Sequence, residues 1–215
     1  MKRKVINYTT QTAIFGGLAA ILYCVPGLQF NVPFVAPSFM SIHLDEIPIL
    51  ISSFAYGPLL GLFEILLRTI IKLPMTSTMC SGELGDMMYS IALVIPASYI
   101  YTKNRTFKGA MIGLSLGLIS NLFFTSVINL YTIFPLYKAI LNMPNGSIAQ
   151  AFDAIYRMGI VEDSDIRIAL LLLPFNLIRN GIVIVTTIVC YKPLRFLLEK
   201  IGNNFNFKNT NIENK

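Results

Sequence analysis

Residues 109–134 read GAMIGLSLGLISNLFFTSVINLYTIF, a run of 26 residues without a single charge. At 1.5 Å per residue a helix of that length spans roughly 39 Å, more than the ~30 Å hydrocarbon core of a bilayer. Its polar members are not scattered. Asn121, Thr125, Asn129 and Thr132 are spaced by four, four and three, which puts them along one helical face. A span that is apolar elsewhere and carries one such stripe belongs in a membrane bundle. The stripe then serves either interhelical hydrogen bonding or a ligand.

The same texture extends outward in both directions. Of the 215 residues, 54% are hydrophobic and only 13% charged, and the mean hydropathy is +0.64. A soluble domain carries roughly 25% charged residues, spread evenly. An ordinary soluble enzyme, a disordered chain, a coiled coil and a disulfide scaffold are all excluded. Apolar runs at about 9–25, 45–56, 58–73, 82–101 and 166–191 join the 109–134 run. The expectation is an all-α fold: a polytopic membrane protein, a six-transmembrane-helix bundle with a long apolar outer loop 1. Residues 1–201 form the substrate-binding domain in this reading, and the asparagine-rich 202–215 a disordered cytoplasmic tail. The 13–25 stretch has a basic start like a signal peptide but no convincing cleavage site, so it is read as a retained first helix.

Loop 1, residues 26–44, is apolar but carries Pro26, Pro33 and Pro37, so it cannot be one helix. Apolar irregular backbone at membrane depth packs on protein or lines a cavity, as a lid would. Gly57-Pro58 divides the second run from the third, with Asp45 a good N-cap and Pro58 a favoured first-turn residue. A short amphipathic helix is expected over 147–158, lying on the membrane surface or covering the bundle.

The net charge of +6 raises the question of nucleic acid, but its placement answers to topology instead. Eleven basic residues (2, 3, 4, 103, 105, 108, 192, 195, 200, 208 and 215) fall in the termini and the 103–108 loop. Six spans with both termini cytoplasmic put all of these inside, as the positive-inside rule requires. Cys24, Cys80 and Cys190 are far apart and suggest neither a zinc site nor a redox pair.

Ionisable and amide side chains within the spans are the functional candidates. In the sixth run Pro174, Asn176, Arg179 and Asn180 fall within about two turns, and Asn176 and Arg179 share a face. Such an arginine needs acceptors from the bundle or from a ligand. Glu64 and Arg68, four apart, allow an intrahelical ion pair, and a structural pair is favoured over a site. Glu83 and Asp86 open the fourth run, where a helix dipole stabilises acids as readily as a ligand would use them. His43 is the single histidine and a weak candidate. Ala13, Gly16, Gly17 and Ala20 make two overlapping small-x-x-x-small pairs that let another helix approach closely.

Taken together, DEIPILI at 45–51, FAYGPLLG at 54–61, Gly82-Glu83-Leu84, Asn129 with Pro135 and Tyr137, and Pro174-Phe175-Asn176 with Arg179 resemble a known family. It is the S components, or substrate-binding subunits, of energy-coupling factor vitamin transporters, specifically the riboflavin-specific type. The resemblance touches the second to sixth spans. It implies high-affinity capture of riboflavin, a transported ligand rather than a cofactor, in the outer half of the bundle. It maps the substrate site onto Asn129, Asn176 and Arg179, with Thr125, Glu83 and Asn180 as further candidates. Arg179 stands where the family uses lysine, so a planar fork replaces a point charge.

The resemblance also implies partners: a transmembrane coupling subunit met through Ala13, Gly16, Gly17 and Ala20, and two ATPase subunits that hydrolyse ATP. Here Gly17 replaces the second alanine of the family's Ala-x-x-x-Ala pattern. The chain has no phosphate-binding Gly-x-x-x-x-Gly-Lys-Ser/Thr loop of its own. The expectation is a transport subunit, not an enzyme, in a bacterial cell membrane, without metal or cofactor. The nearest alternative is an S component for another vitamin. More remote are an intramembrane enzyme, which lacks paired histidines or a nucleophile with its base, and a ligand-free assembly subunit.

Overall fold

The computed structural model describes residues 2–31, 41–76, 79–133, 135–136, 139 and 172–190. Among them are six principal helices: α1 Lys2–Cys24, α2 Glu46–Tyr56, α3 Pro58–Lys72, α4 Ser81–Lys103, α5 Phe107–Ile128 and α6 Leu172–Cys190. Among the described residues the fold is all-α apart from a ribbon of two two-residue strands. Three helical segments, Ser81–Lys103, Phe107–Ile133 and Leu172–Cys190, are long and apolar enough to cross a membrane, and Glu46–Tyr56 is a shorter apolar helix.

Helix limits follow local chemistry. α1 begins earlier than the apolar run does, because its basic first residues also extend the helix. Thr106 caps α5 by accepting from the Gly109 backbone N–H at 3.0 Å. α5 then loosens into a π-helical turn over Asn129–Ile133. α2 and α3 are separated by Gly57, whose φ of +106° suits glycine, and Pro58 follows at the first position of α3. Asp45 sits at the N-cap of α2, yet it makes no side-chain cap; its carboxylate is used elsewhere, as described below.

The described residues of loop 1, 26–31 and 41–44, have order that the sequence pattern did not announce. A 3-10 turn covers Pro26–Leu28, and Phe30–Asn31 pairs antiparallel with Ser41–Ile42, Phe30 opposite Ile42. The expected 147–158 helix and the 202–215 tail lie outside the described residues.

α5 shows what kind of solvent the bundle expects. Ile112, Leu116, Ile119 and Phe123 form its exposed stripe, while Gly113, Gly117, Asn121, Thr125 and Asn129 are buried. An apolar outside around a polar inside would be unstable in water and is natural in lipid. Gly113 and Gly117 let α5 lie directly on α4. A Cβ at either would stand 2.6 Å from the carbonyl oxygen of Ala97 or Leu93. The apolar core, including Ile49, Leu50, Ile65, Leu93, Val94, Leu114 and Val183, joins α2 to α6.

Candidate functional site

Two polar layers cross this core. The first is ionic. Arg179 of α6 places Nη2 3.2 Å from Glu46 Oε1 of α2 and Nη1 3.1 Å from Asp86 Oδ1 of α4. Arg68 of α3 forms an ion pair with Asp45 and donates to Ser90 Oγ at 3.2 Å. Ser90 in turn donates to Glu46 Oε1 at 2.7 Å, which ties the two pairs together. Tyr23 of α1 closes the layer from outside: its hydroxyl donates to Asp86 Oδ2 at 2.7 Å and its ring lies 4.6 Å beneath Arg68.

Asp45, Glu46 and Arg68 are completely buried and Arg179 is 4% exposed. Isolated charges at such a depth would each cost several kcal/mol, so mutual pairing is what makes the layer tolerable. His43, in loop 1, packs edge-on against Tyr23 with ring centroids 4.9 Å apart. Burial there pushes its imidazole pKa down to about 4.

The second layer is an amide seam between α4, α5 and α6. Asn121 donates from Nδ2 to the Tyr89 carbonyl at 2.7 Å and accepts from Asn180 Nδ2 at 2.6 Å. Thr125 donates weakly to Asn121 Oδ1 at 3.4 Å, and the Tyr89 hydroxyl donates to Asn129 Oδ1 at 2.5 Å. Asn176, one turn from Asn180 on α6, is also buried.

Several sequence expectations are thereby corrected. Arg68 does not pair with Glu64; it reaches Asp45, and Glu64 accepts from Ser52 of α2. The bundle offers both groups better partners than the i,i+4 geometry of one helix. Asp86 lies beyond the first turn of α4, so the dipole explanation fails for it, and its carboxylate serves Arg179. Glu83 accepts from Thr76 at 2.8 Å and the same hydroxyl accepts from the Cys80 backbone N–H, which pins the start of α4. On α1, Gly16 and Ala20 are buried, and a Cβ on Gly16 would lie 2.9 Å from Leu67 of α3. Those two are internal packing residues here. Ala13 is exposed and Gly17 faces open space.

Glu46 and Tyr23 were not singled out as site residues. Glu46 stands in a signal that was visible, two consecutive acids before Ile-Pro; Tyr23 carried no signal distinguishing it from other helix-end aromatics. Among the described residues no cluster of His, Cys, Asp and Glu could hold a metal ion.

The profile of the family described as ECF transporter, substrate-specific component, matches residues 7–191. The chain is 24% identical to the riboflavin transporter RibU of Staphylococcus aureus, over 86% of this chain and 89% of that one. It is 23% identical to the riboflavin transporter FmnP of Bacillus subtilis, over 85% and 90%. RibU of Streptococcus thermophilus is 27% identical over 90% and 86%. A solved S component of a bacterial ECF transporter shares the fold with a TM-score of 0.70 at 19% identity, covering 92% of this chain and 99% of its own.

Proposed function

The chain belongs to the ECF transporter substrate-specific component family, and from that premise we propose that it captures riboflavin for uptake across the cell membrane. The protein is a multi-pass membrane protein of a transport family; the vitamin, the site and the orientation are our reading. The observation that carries the riboflavin assignment is the likeness to three riboflavin transporters over 85–90% of this chain. The amide seam adds chemical support. A flavin is a flat, mostly apolar ring with a few hydrogen-bonding edges and a polyhydroxyl chain, which suits an apolar pocket with sparse amides.

Asn176 is the strongest candidate for direct contact, being a buried amide one turn from Asn180 and on the same helix as Arg179. Asn129 and Arg179 complete the set, with Thr125 and Asn180 holding the seam and Glu83 ordering the entry to α4. The six-span layout with cytoplasmic termini belongs to the same proposal. So does a coupling subunit, itself served by two ATPase subunits, docking on α1. The open Ala13–Gly17 face is the available surface for it.

A direct test is to purify the protein in detergent, record its visible spectrum and titrate it with riboflavin by fluorescence. A yellow preparation, or quenching that saturates, is expected. A colourless protein indifferent to added riboflavin would leave another vitamin as the ligand.

A further inference from the structure

We propose that the short turn between α4 and α5 is a fixed binding site for the headgroup of an anionic phospholipid, carried by Lys103, Arg105 and Lys108. The inference is independent of the vitamin and needs only that α4 and α5 cross the bilayer. Both are long and apolar enough to do so, which puts the turn joining them at the level of the headgroups.

The three cations fall within six residues, are exposed, and form no ion pair among the described residues. The five described carboxylates are placed elsewhere. Asp45, Glu46 and Asp86 serve the two buried arginines, while Glu64 accepts from Ser52 and Glu83 from Thr76. Glu83 and Asp86 belong to the opposite end of α4, roughly 25–30 Å along the helix and beyond the ~10 Å over which exposed charges act. Helix dipoles do not account for the cluster either. Lys103 suits the negative end of α4, but Lys108 is the second residue of α5 and Arg105 directly precedes its N-cap. Cations are disfavoured at that positive end, and an anion held among them offsets the cost.

The turn is rigid rather than a loose basic loop. The Asn104 N–H donates to the Ile100 carbonyl at 3.2 Å and the Thr106 N–H to the Asn104 carbonyl at 2.8 Å. The Thr106 hydroxyl donates to Asn104 Oδ1 at 3.0 Å while it caps α5. A Cβ on Gly109 would collide with the Asn104 carbonyl oxygen, so glycine is what lets α5 leave so tightly. Tyr99 and Phe107, both about half-exposed, flank the turn, and the Lys103 ammonium stands 4.5 Å from the Tyr99 ring centroid. Such aromatics mark the membrane interface, and the cation–π contact holds Lys103 there. A phosphate needs several donors and no neighbouring carboxylate, which this turn supplies. The exposed Ile112 and Leu116 further along α5 offer an apolar surface for acyl chains, which favours a lipid over free phosphate.

The chain has no tryptophan, so Tyr99→Trp installs a single fluorescent reporter that keeps an aromatic face for Lys103. The full-length variant is reconstituted in phosphatidylcholine vesicles with phosphatidylglycerol as the minor lipid, either one or the other lipid being brominated. At low salt, brominated phosphatidylglycerol should quench this tryptophan several-fold more than its share of the lipid requires, and high salt should shrink the excess. A Phe123→Trp reporter, on the exposed face of α5 far from the turn, should follow bulk composition. Lys103→Gln, Arg105→Gln and Lys108→Gln together should abolish the excess at position 99. Arg105→Gln alone, outside both helices, should reduce it and decides the matter if the combined variant does not fold. Quenching at position 99 in proportion to bulk composition, an equal excess at position 123, or an excess unmoved by removing the cations overturns the proposal.

Discussion

Arg179 is gripped by two carboxylates from different helices, with Asp86 Oδ1 3.1 Å from Nη1 and Glu46 Oε1 3.2 Å from Nη2. The three residues come from α2, α4 and α6, so the guanidinium joins the start of α2, just after loop 1, to the sixth helix. A point charge cannot hold both acceptors with the same geometry, which gives the arginine at this position a structural consequence.

Removing that guanidinium strands Glu46, which is fully buried, and Asp86, which is half-buried. Breaking a buried pair typically costs about 3–5 kcal/mol, so Arg179→Ala should lower the thermal midpoint in detergent markedly. Arg179→Lys keeps the charge and one contact and should lose less. If the lysine variant is as unstable as the alanine variant, the forked geometry and not the charge holds the layer.

Asn176 tests the site with less structural risk, since it is a neutral amide outside the ion pairs of the buried layer. Asn176→Ala should weaken riboflavin by roughly 1–3 kcal/mol, about 5- to 150-fold, with an unchanged thermal midpoint without ligand. Unaltered affinity would remove this face of α6 from the site.

How far these features were legible in the sequence depends on their range. The α5 stripe could be read only in part. Asn121, Thr125 and Asn129 are set by the helical period and buried. Thr132, expected on the same face, is exposed, because the π-helical turn over Asn129–Ile133 departs from the α-helical period. The Gly57-Pro58 break was equally local, a matter of backbone chemistry. The ionic layer was not. Glu46 and Arg179 are 133 positions apart, and nothing local reports which acid a buried arginine will choose. The error over Glu64 and Arg68 has the same origin: spacing says which partners a helix permits, while packing decides among them. The ribbon in loop 1 is not legible in the sequence, because two residues per strand are too few to show alternation.

Orientation is tested by accessibility. With Cys24, Cys80 and Cys190 replaced, single cysteines in the 103–108 loop should resist an impermeant thiol reagent in intact cells. Cysteines introduced at positions 142 or 145 should react. The opposite pattern would put the termini outside and invert the charge argument.

His43 makes stability depend on pH in a definite direction. Its imidazole titrates near 4 in the folded protein, against 6.5 when free of the fold. Between these values the unfolded chain binds the proton and the folded one does not, so stability is full above about 6.5 and falls as the pH is lowered. From pH 7 to 5 the expected loss is about 2 kcal/mol. His43→Phe retains a ring against Tyr23 and should flatten this dependence in detergent-based thermal unfolding. An unchanged slope in that variant would assign the pH effect to the carboxylates of the ionic layer.

The two faces of α1 give the sharpest separation of binding from transport. Gly17 has nothing within 4 Å of where its Cβ would lie, whereas a Cβ on Gly16 would sit 2.9 Å from Leu67. Gly17→Leu therefore adds bulk to an open surface, and because glycine is a poor helix former the substitution does not weaken the helix. Gly16→Leu instead forces α1 away from α3, an overpacking that costs typically 1–3 kcal/mol or more. If the Ala13–Gly17 face docks the coupling subunit, Gly17→Leu and Ala13→Leu should bind riboflavin normally when purified alone. In cells they should fail to support uptake and should not co-purify with the coupling module. Gly16→Leu should lose binding and uptake together, through the fold. Normal uptake with Gly17→Leu and Ala13→Leu would mean that this face of α1 meets only lipid, and that the coupling subunit docks elsewhere.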